Sequence, residues 1–379
     1  MQLQTNESAA PISLAKGVDV GKVEKELKAL WRTDQADASG VTRACAMNLV
    51  VYATPEDHSA DLEDMLLVVN TQHPGRVLLL VSDANAATPQ LEATASVRCR
   101  QLGAHQIICG EQVTIQIAGS ARDTVSTAVA PLLMPDVPTF LWWKDIPHQE
   151  DKLFNRLADL ADRIVIDSAA FDNPHEDTRR LTSIIHSYKD FGYFSDLNWG
   201  RLTSWRTLLA SFWDVPDYRP YLDNIDRITV EYDPPDVNKS EIPAQPLLVI
   251  GWLASRLGWR VVKGERGTEA TWFTLRDGGR EIVVEMRPDK DLEDNDGLLI
   301  SLSLAAHQGQ AEFCVSFNPD GPKLETSARV DGQRTVGRVL TYEQKSEAQR
   351  LARELGLLRR DAIYEETLGV VANLLAAIK

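Results

Sequence analysis

A chain of 379 residues, 44% apolar and 25% charged, is too long for one small core and has the ordinary composition of a globular protein built as two domains. Its formal net charge of −15, with no local basic run to offset it, excludes a surface made for nucleic acid or anionic lipid. The longest apolar run, Leu247 to Ala254, falls far short of the roughly 20 residues that cross a bilayer, and the N-terminus has no basic stretch followed by an apolar one, so a cytoplasmic protein is expected.

In chain order, residues 1–20 read as a flexible arm and residues 21–232 as an α/β domain. Val23, Leu27, Leu30 and Trp31 fall on one side of a helix from Gly21 to about Thr33. RACAMNLVVY (43–52) ends in a β-rich run, Pro55 and Glu56 open a helix reaching Thr71, and RVLLLVSD (76–83) reads as a buried strand parallel to the first. The antiparallel strands SVRCRQL and HQIICGEQVTIQIAG come next. A helix near 121–133, the strand TFLWWKD (139–145), a helix near 150–161 and the strand RIVIDS (163–168) continue the layered sheet. A helix over 177–188 leads into YFSDLNWGRLTSWRTLLASFWD (193–214), and the strand RITVEYDPP follows it. Residues 233–246, with four prolines and little apolar material, read as a linker. Residues 247–379 then hold a helix over 247–257, candidate strands alternating apolar and polar residues between 270 and 340, and helices near 343–357 and 361–378. The fold class is α/β: an N-terminal layered α/β domain with a mixed sheet, then a C-terminal α+β domain with an antiparallel sheet and terminal helices.

The segment 193–214 is the most telling part of the chain. Asn198 suits an N-cap, and Leu202, Trp205, Leu209 and Phe212 recur at helical spacing as one apolar face. Arg201 and Arg206 fall off that face, which leaves them to point outward as donors to another molecule. Two readings stand here: a Trp-rich core helix with solvated arginines, and a protein contact site, since Trp and Arg are the residues most enriched at binding hot spots.

Catalytic patterns are missing. Gly17, Gly21 and Lys22 fail as a phosphate loop, being one residue short and followed by Val23 where a magnesium-holding hydroxyl belongs. No GxGxxG follows the strands at 47–52 or 76–82, and no GxSxG or HExxH is present. The acidic loop 288–297 lacks the ligand order of a calcium site, and Asp61 and Asp64 read as solvated helix acids. Cys45, Cys99, Cys109 and Cys314 have no CxxC spacing and read as reduced thiols, with no close pair along the chain to suggest a disulfide; a redox switch stays open only if two of them meet in space. No cofactor and no metal is expected, and binding outweighs catalysis.

The blocks TFLWWKDIP (139–147) and FSDLNWGRLTSWRTLLASFWD (194–214), supported by TRACAMNLVVY (42–52), HPGRVLLL (73–80) and QPLLVIGWLASRLGW (245–259), resemble the glucose-6-phosphate dehydrogenase assembly proteins. This is the OpcA family of cyanobacteria and actinobacteria, and the resemblance covers nearly the whole chain. It implies a non-catalytic partner that binds glucose-6-phosphate dehydrogenase and promotes its active oligomeric state in the oxidative pentose phosphate pathway. Thioredoxin-linked redox control is also implied, although the cysteine spacing gives it no support. The Trp-rich blocks map onto Trp142, Trp143, Asp196, Asn198, Trp199, Arg201, Trp205 and Arg206 as partner-binding candidates. Trp142 and Trp143, adjacent on a strand, point to opposite faces and cannot serve one surface, so one is expected in the core. Lys144, with Asp145 and Pro147, lies where open α/β sheets place ligands and carries the rival reading, a sugar-phosphate-binding enzyme such as a lactonase-like hydrolase.

Overall fold

The computed structural model describes residues 3–7, 12–13, 18–35, 41–43, 45–101, 107–188, 192–289, 297–318, 321–342, 345–357 and 359–378. Most of the acidic loop 288–297 lies outside these residues. The chain divides into two compact units. The first comprises Met1–Ile166, His186–Ser195 and Lys345–Arg360, and the second Asp167–Ile185, Asp196–Gln344 and Asp361–Lys379. The proline-rich stretch 233–246 lies inside the second unit.

The elements run β1 (Leu3–Glu7), β2 (Ile12–Ser13), α1 (Val20–Gln35), β3 (Val41–Arg43), β4 (Met47–Ala53), α2 (Ala60–Gln72), β5 (Gly75–Asp83), β6 (Gln90–Gln101) and β7 (Ile107–Ala118). Then come α3 (Ser126–Val129), β8 (Thr139–Trp143), α4 (Lys152–Ala158), β9 (Arg163–Ile166), α5 (Pro174–Tyr188), β10 (Tyr193–Asp196), α6 (Leu197–Arg201), α7 (Thr203–Ser211), α8 (Arg219–Leu222) and β11 (Ile225–Tyr232). The rest is α9 (Ala244–Leu257), β12 (Arg260–Arg266), β13 (Thr271–Asp277), β14 (Arg280–Pro288), β15 (Leu299–Ala306), β16 (Ala311–Asn318), β17 (Lys323–Val330), β18 (Gln333–Thr341), α10 (Glu347–Leu355) and α11 (Ala362–Ala377).

The first unit is built on a sheet of order β1-β6-β7-β5-β4-β8-β9-β10, with β2 on β6 and β3 on β7. β7, β5, β4, β8 and β9 pair in parallel, and β6 joins β7 antiparallel, so the sheet is mixed as expected. β4 and β8 are buried at every position. This is the uninterrupted apolar pattern of strands covered on both faces. It also means that Trp142 and Trp143, pointing opposite ways, are both 1% exposed, where only one was expected in the core. α2 begins at Ala60, capped by Ser59, and not at Pro55, because Thr54 and Asp57 close a turn on each other first. The expected helix over 121–133 is broken into short turns around α3, with Pro131 withdrawing a backbone donor.

Only two of the four cysteines, Cys45 and Cys314, are the free thiols expected of all four. The β6–β7 hairpin places Cys99 directly opposite Cys109, and the two form a disulfide that spacing rules along the chain do not see. It packs with Trp31 and Val97. Beside it the Trp31 indole donates to Glu111 at 2.7 Å. Glu111 in turn pairs with Arg76 at 2.6 Å, and the Arg76 guanidinium, 2% exposed, also donates to the Leu132 carbonyl at 2.7 Å and to Glu24. A buried charge held this way is satisfied, whereas deleting one partner strands the other. Because the disulfide spans a sequence separation of 10, replacing both cysteines by Ala should lower stability by about 2–3 kcal/mol through loop-closure entropy. Denaturant melts check this: reductant should destabilise the parent protein by that amount and leave the variant unchanged.

The second unit holds an eight-stranded sheet of order β12-β13-β14-β11-β15-β16-β17-β18, antiparallel except where β11 meets β14. β12 was not expected, since its RVVKGER reads too polar for a strand and only Gly264 within it is buried. Strand burial alternates, and the register aligns Val230, Leu302 and Val315 on the covered face with Ile228, Leu304 and Phe313 beside them. α9 lies against α11 so closely that a Cβ on Gly251 would stand 2.8 Å from the Thr367 carbonyl, which is why a small residue is required. Among the described residues no helix is long and apolar enough to cross a membrane.

Candidate functional site

The Trp-rich segment belongs to the second unit from Asp196 onward. The N-cap of α6 is Asp196, not Asn198: its carboxylate accepts from the Asn198 backbone N–H at 2.9 Å and turns the chain from β10 into the helix. Ser168 donates to the same carboxylate through its N–H at 3.0 Å and its hydroxyl at 2.7 Å, and the Tyr364 hydroxyl donates at 3.1 Å. Burial first, and the nearby charge of Asp167 second, push the Asp196 carboxyl up to about 6. The Asn198 side chain donates to Ser168 Oγ and accepts from Gln245, whose own oxygen accepts from the Leu299 N–H. Asp196 and Asn198 therefore knit α6, α9, α11 and the start of β15 into one polar network. No local signal in the sequence pointed to Ser168, Gln245 or Tyr364, which lie 28 to 168 residues from their partners.

The helical stripe is present but divided, because α6 ends at Arg201 and α7 restarts after Leu202. Leu202, Trp205, Leu209 and Phe212 are all buried, with Phe212 set against Phe313 of β16. The two arginines, expected to point outward together, part company. Arg201 makes a two-pronged ion pair with Asp167 at 2.6 and 2.8 Å, which is intramolecular support. Arg206 stacks on the Trp199 ring, 3.3 Å from its centroid, while the Trp199 indole donates to Asp361 at 2.8 Å. Arg206 and Trp199 line an open groove of about 550 Å³ with Thr203, Thr207, Trp252 and Arg338. Sequence reading missed Trp252 and Arg338, which reach the groove from α9 and β18.

In the first unit the sheet order reverses between β4 and β8, the place where an open α/β sheet takes a ligand beyond its strand ends. There Tyr52 stacks on Trp143 with centroids 3.8 Å apart, and Arg122 lies over Tyr52 while gripping Asp151. Lys144, above the Trp142 ring, is paired with Glu347 at 3.1 Å. The adjoining cavity of about 420 Å³ is lined by Asp57, Asp61, Asp64 and Glu347 beside Lys144. Four carboxylates against one engaged ammonium repel a phosphate, and the turn closed by Thr54 and Asp57 stands where a glycine-rich turn would cradle one.

A parallel-centred α/β unit with a second unit on an antiparallel sheet makes this a two-sheet α/β protein. Its fold is similar to that of an NAD-binding oxidoreductase from Klebsiella pneumoniae, with a TM-score of 0.50 over 88% of this chain and 96% of that one, at 10% identity. That likeness concerns fold alone. Residues 68–183 match the family model described as glucose-6-phosphate dehydrogenase subunit N-terminal domain, and residues 192–368 match the one for its C-terminal domain. A candidate OxPP cycle protein OpcA from Synechococcus elongatus is 31% identical, over 84% of this chain and 72% of its own length. Its namesake from Nostoc punctiforme is 32% identical, over 75% of this chain and 62% of its own. The chain belongs to the OpcA family of glucose-6-phosphate dehydrogenase subunits.

Proposed function

We propose that this protein is a non-catalytic assembly factor and allosteric activator: it binds a cytoplasmic glucose-6-phosphate dehydrogenase and favours the active oligomer by binding that state more tightly. The observation that carries the reading is the groove of the second unit, where Trp252, Arg206 and Arg338 face the opening over the buried Trp199, in a chain whose family is described as a dehydrogenase subunit. Such aromatic and guanidinium groups are the usual anchors of protein interfaces. Of the residues singled out from the sequence, Arg206 is the one we assign to contact, with Trp199 beneath it as its platform. Trp142, Trp143, Trp205, Asp196 and Asn198, all buried, shape and hold the scaffold, as Arg201 does through Asp167.

The test is co-purification with the dehydrogenase of the same organism, followed by mass measurement of the dehydrogenase oligomer with and without the chain. Arg206→Ala should weaken the complex by about 2 kcal/mol with little change in melting temperature. Arg201→Ala should instead lower stability by about 1.5–3 kcal/mol, the worth of a charged hydrogen-bonded pair, and weaken binding only in proportion. Normal association by Arg206→Ala at unchanged stability would remove the groove from the interface.

A further inference from the structure

β18 forms one edge of the eight-stranded sheet, and all nine of its residues are exposed. Long exposed edges are templates for another strand, and folded proteins normally blunt them with charge, shortness or cover. This edge is nine residues long and carries Val336, Val339 and Leu340 at 67%, 54% and 41% exposure. Its charge is all of one sign. Arg334 and Arg338 are its only charged residues, on a chain whose net charge is −15.

The register fixes where those groups face. Arg334 lies opposite Arg329, whose guanidinium is already taken up by Glu312, so two like charges meet across the strands without an acid between them. Val336 stands opposite Ser327, on the same open face of the sheet. Between Val336 and Val339 the pairing slips, and the Thr326 hydroxyl fills the gap, accepting from the Arg338 N–H at 2.7 Å and donating to its carbonyl at 3.1 Å. Gly337 is required there, since a Cβ would stand 2.5 Å from Thr326 Oγ1. The bulge turns Arg338 to the helix-covered side, where it lines the groove with Trp199, Arg206 and Trp252. Among the described residues neither Arg334 nor Arg338 has an ion-pair partner. Of the two acids on the groove wall, Asp214 and Asp361, the second is engaged by Trp199 and by the Tyr364 N–H.

From this geometry we infer that β18 is a docking edge for an extended segment of the partner protein that carries both acidic and apolar residues. The segment adds to the sheet as a ninth strand. Its backbone pairs with the outer edge of β18, its apolar side chains cover Val336 and Val339, and its carboxylates meet Arg334 on one face and Arg338 with Arg206 on the other. The inference rests on the reading that the partner is the dehydrogenase, and it specifies which part of that partner is recognised.

The experiment uses the full chain and the dehydrogenase of the same organism. Hydrogen exchange of peptides covering 333–341 is followed with and without saturating dehydrogenase, alongside the affinity of the doubly substituted Arg334→Glu, Arg338→Glu chain. Strand addition should slow exchange of the outward amides about tenfold or more. Reversing both charges should weaken binding about 30-fold or more, at unchanged melting temperature. A complex that forms while exchange over 333–341 stays the same, or a doubly reversed chain that binds like the parent, overturns the docking edge and leaves the assembly role standing. If the parent chain does not bind the dehydrogenase at all, the assembly role falls and this inference with it. Protection of β18 produced by the chain's own dimerisation, and lost in the doubly reversed chain, would make the occupant a second copy and overturn the acidic segment.

Discussion

Cutting Trp205 to Ala is expected to cost about 3–5 kcal/mol of stability, the usual penalty for emptying a buried tryptophan site. The side chain is 2% exposed on α7, flanked on the same helix by the buried Leu208 and Leu209. A packed interior refills such a hole only in part, because neighbouring side chains already sit in their rotamer wells. Denaturant melts should show a lower midpoint with an unchanged slope. Since α7 also presents Arg206, binding should fall with the folded fraction. A Trp205→Ala variant that keeps full stability would mean that the helix is held mainly by the polar network at its N-terminal side.

Asp196→Ala is the second large change. It leaves both Ser168 donors, the Asn198 N–H and the Tyr364 hydroxyl without their acceptor in a site that is 1% exposed. At about 1–3 kcal/mol for each stranded buried group, partly relaxed by rearrangement, a loss of about 3–5 kcal/mol is expected. The pH dependence has a definite sign. With its folded pKa raised to about 6 from the ordinary 3.8, Asp196 binds its proton more tightly in the folded state than in the unfolded one. Its contribution is therefore most favourable below pH ~4 and declines as pH rises to about 6, by about 3 kcal/mol in all, and is flat above that. Asp196→Asn should abolish this component of the stability profile. A parent protein that gains stability across the same interval through Asp196 would contradict the assignment.

What could be read in the sequence was whatever repeats with a fixed period. LVVY and VLLL stand as strands because a sheet covered on both faces leaves no polar position, and the Leu202, Trp205, Leu209, Phe212 stripe is buried as its spacing required. Pairings across strands were beyond reach. Cys99 meets Cys109 only because the hairpin register brings them opposite, and a shift of one residue would have sent them to different faces. Asn198 and Asp196 are both good caps on composition. The choice fell to Asp196 because Ser168 and Tyr364, brought in from distant parts of the chain, also need an acceptor there. Arg201 and Arg206 looked alike off the helical stripe. Asp167 claims the first, while the Trp199 ring supports the second. The groove itself depends on Trp252 and Arg338, whose approach to α7 is a consequence of sheet order and leaves no trace in local spacing.

The assembly role is tested most directly by titrating the purified chain into the dehydrogenase of the same organism, with oxidation of glucose 6-phosphate by NADP followed at subsaturating substrate. The chain alone should give no turnover. Added to the dehydrogenase, it should raise the rate saturably, by about 5- to 150-fold for a coupling free energy of about 1–3 kcal/mol, with the oligomer shifting over the same concentration range. A dehydrogenase whose rate and oligomeric mass are indifferent to a large excess of the chain would contradict the assembly role outright.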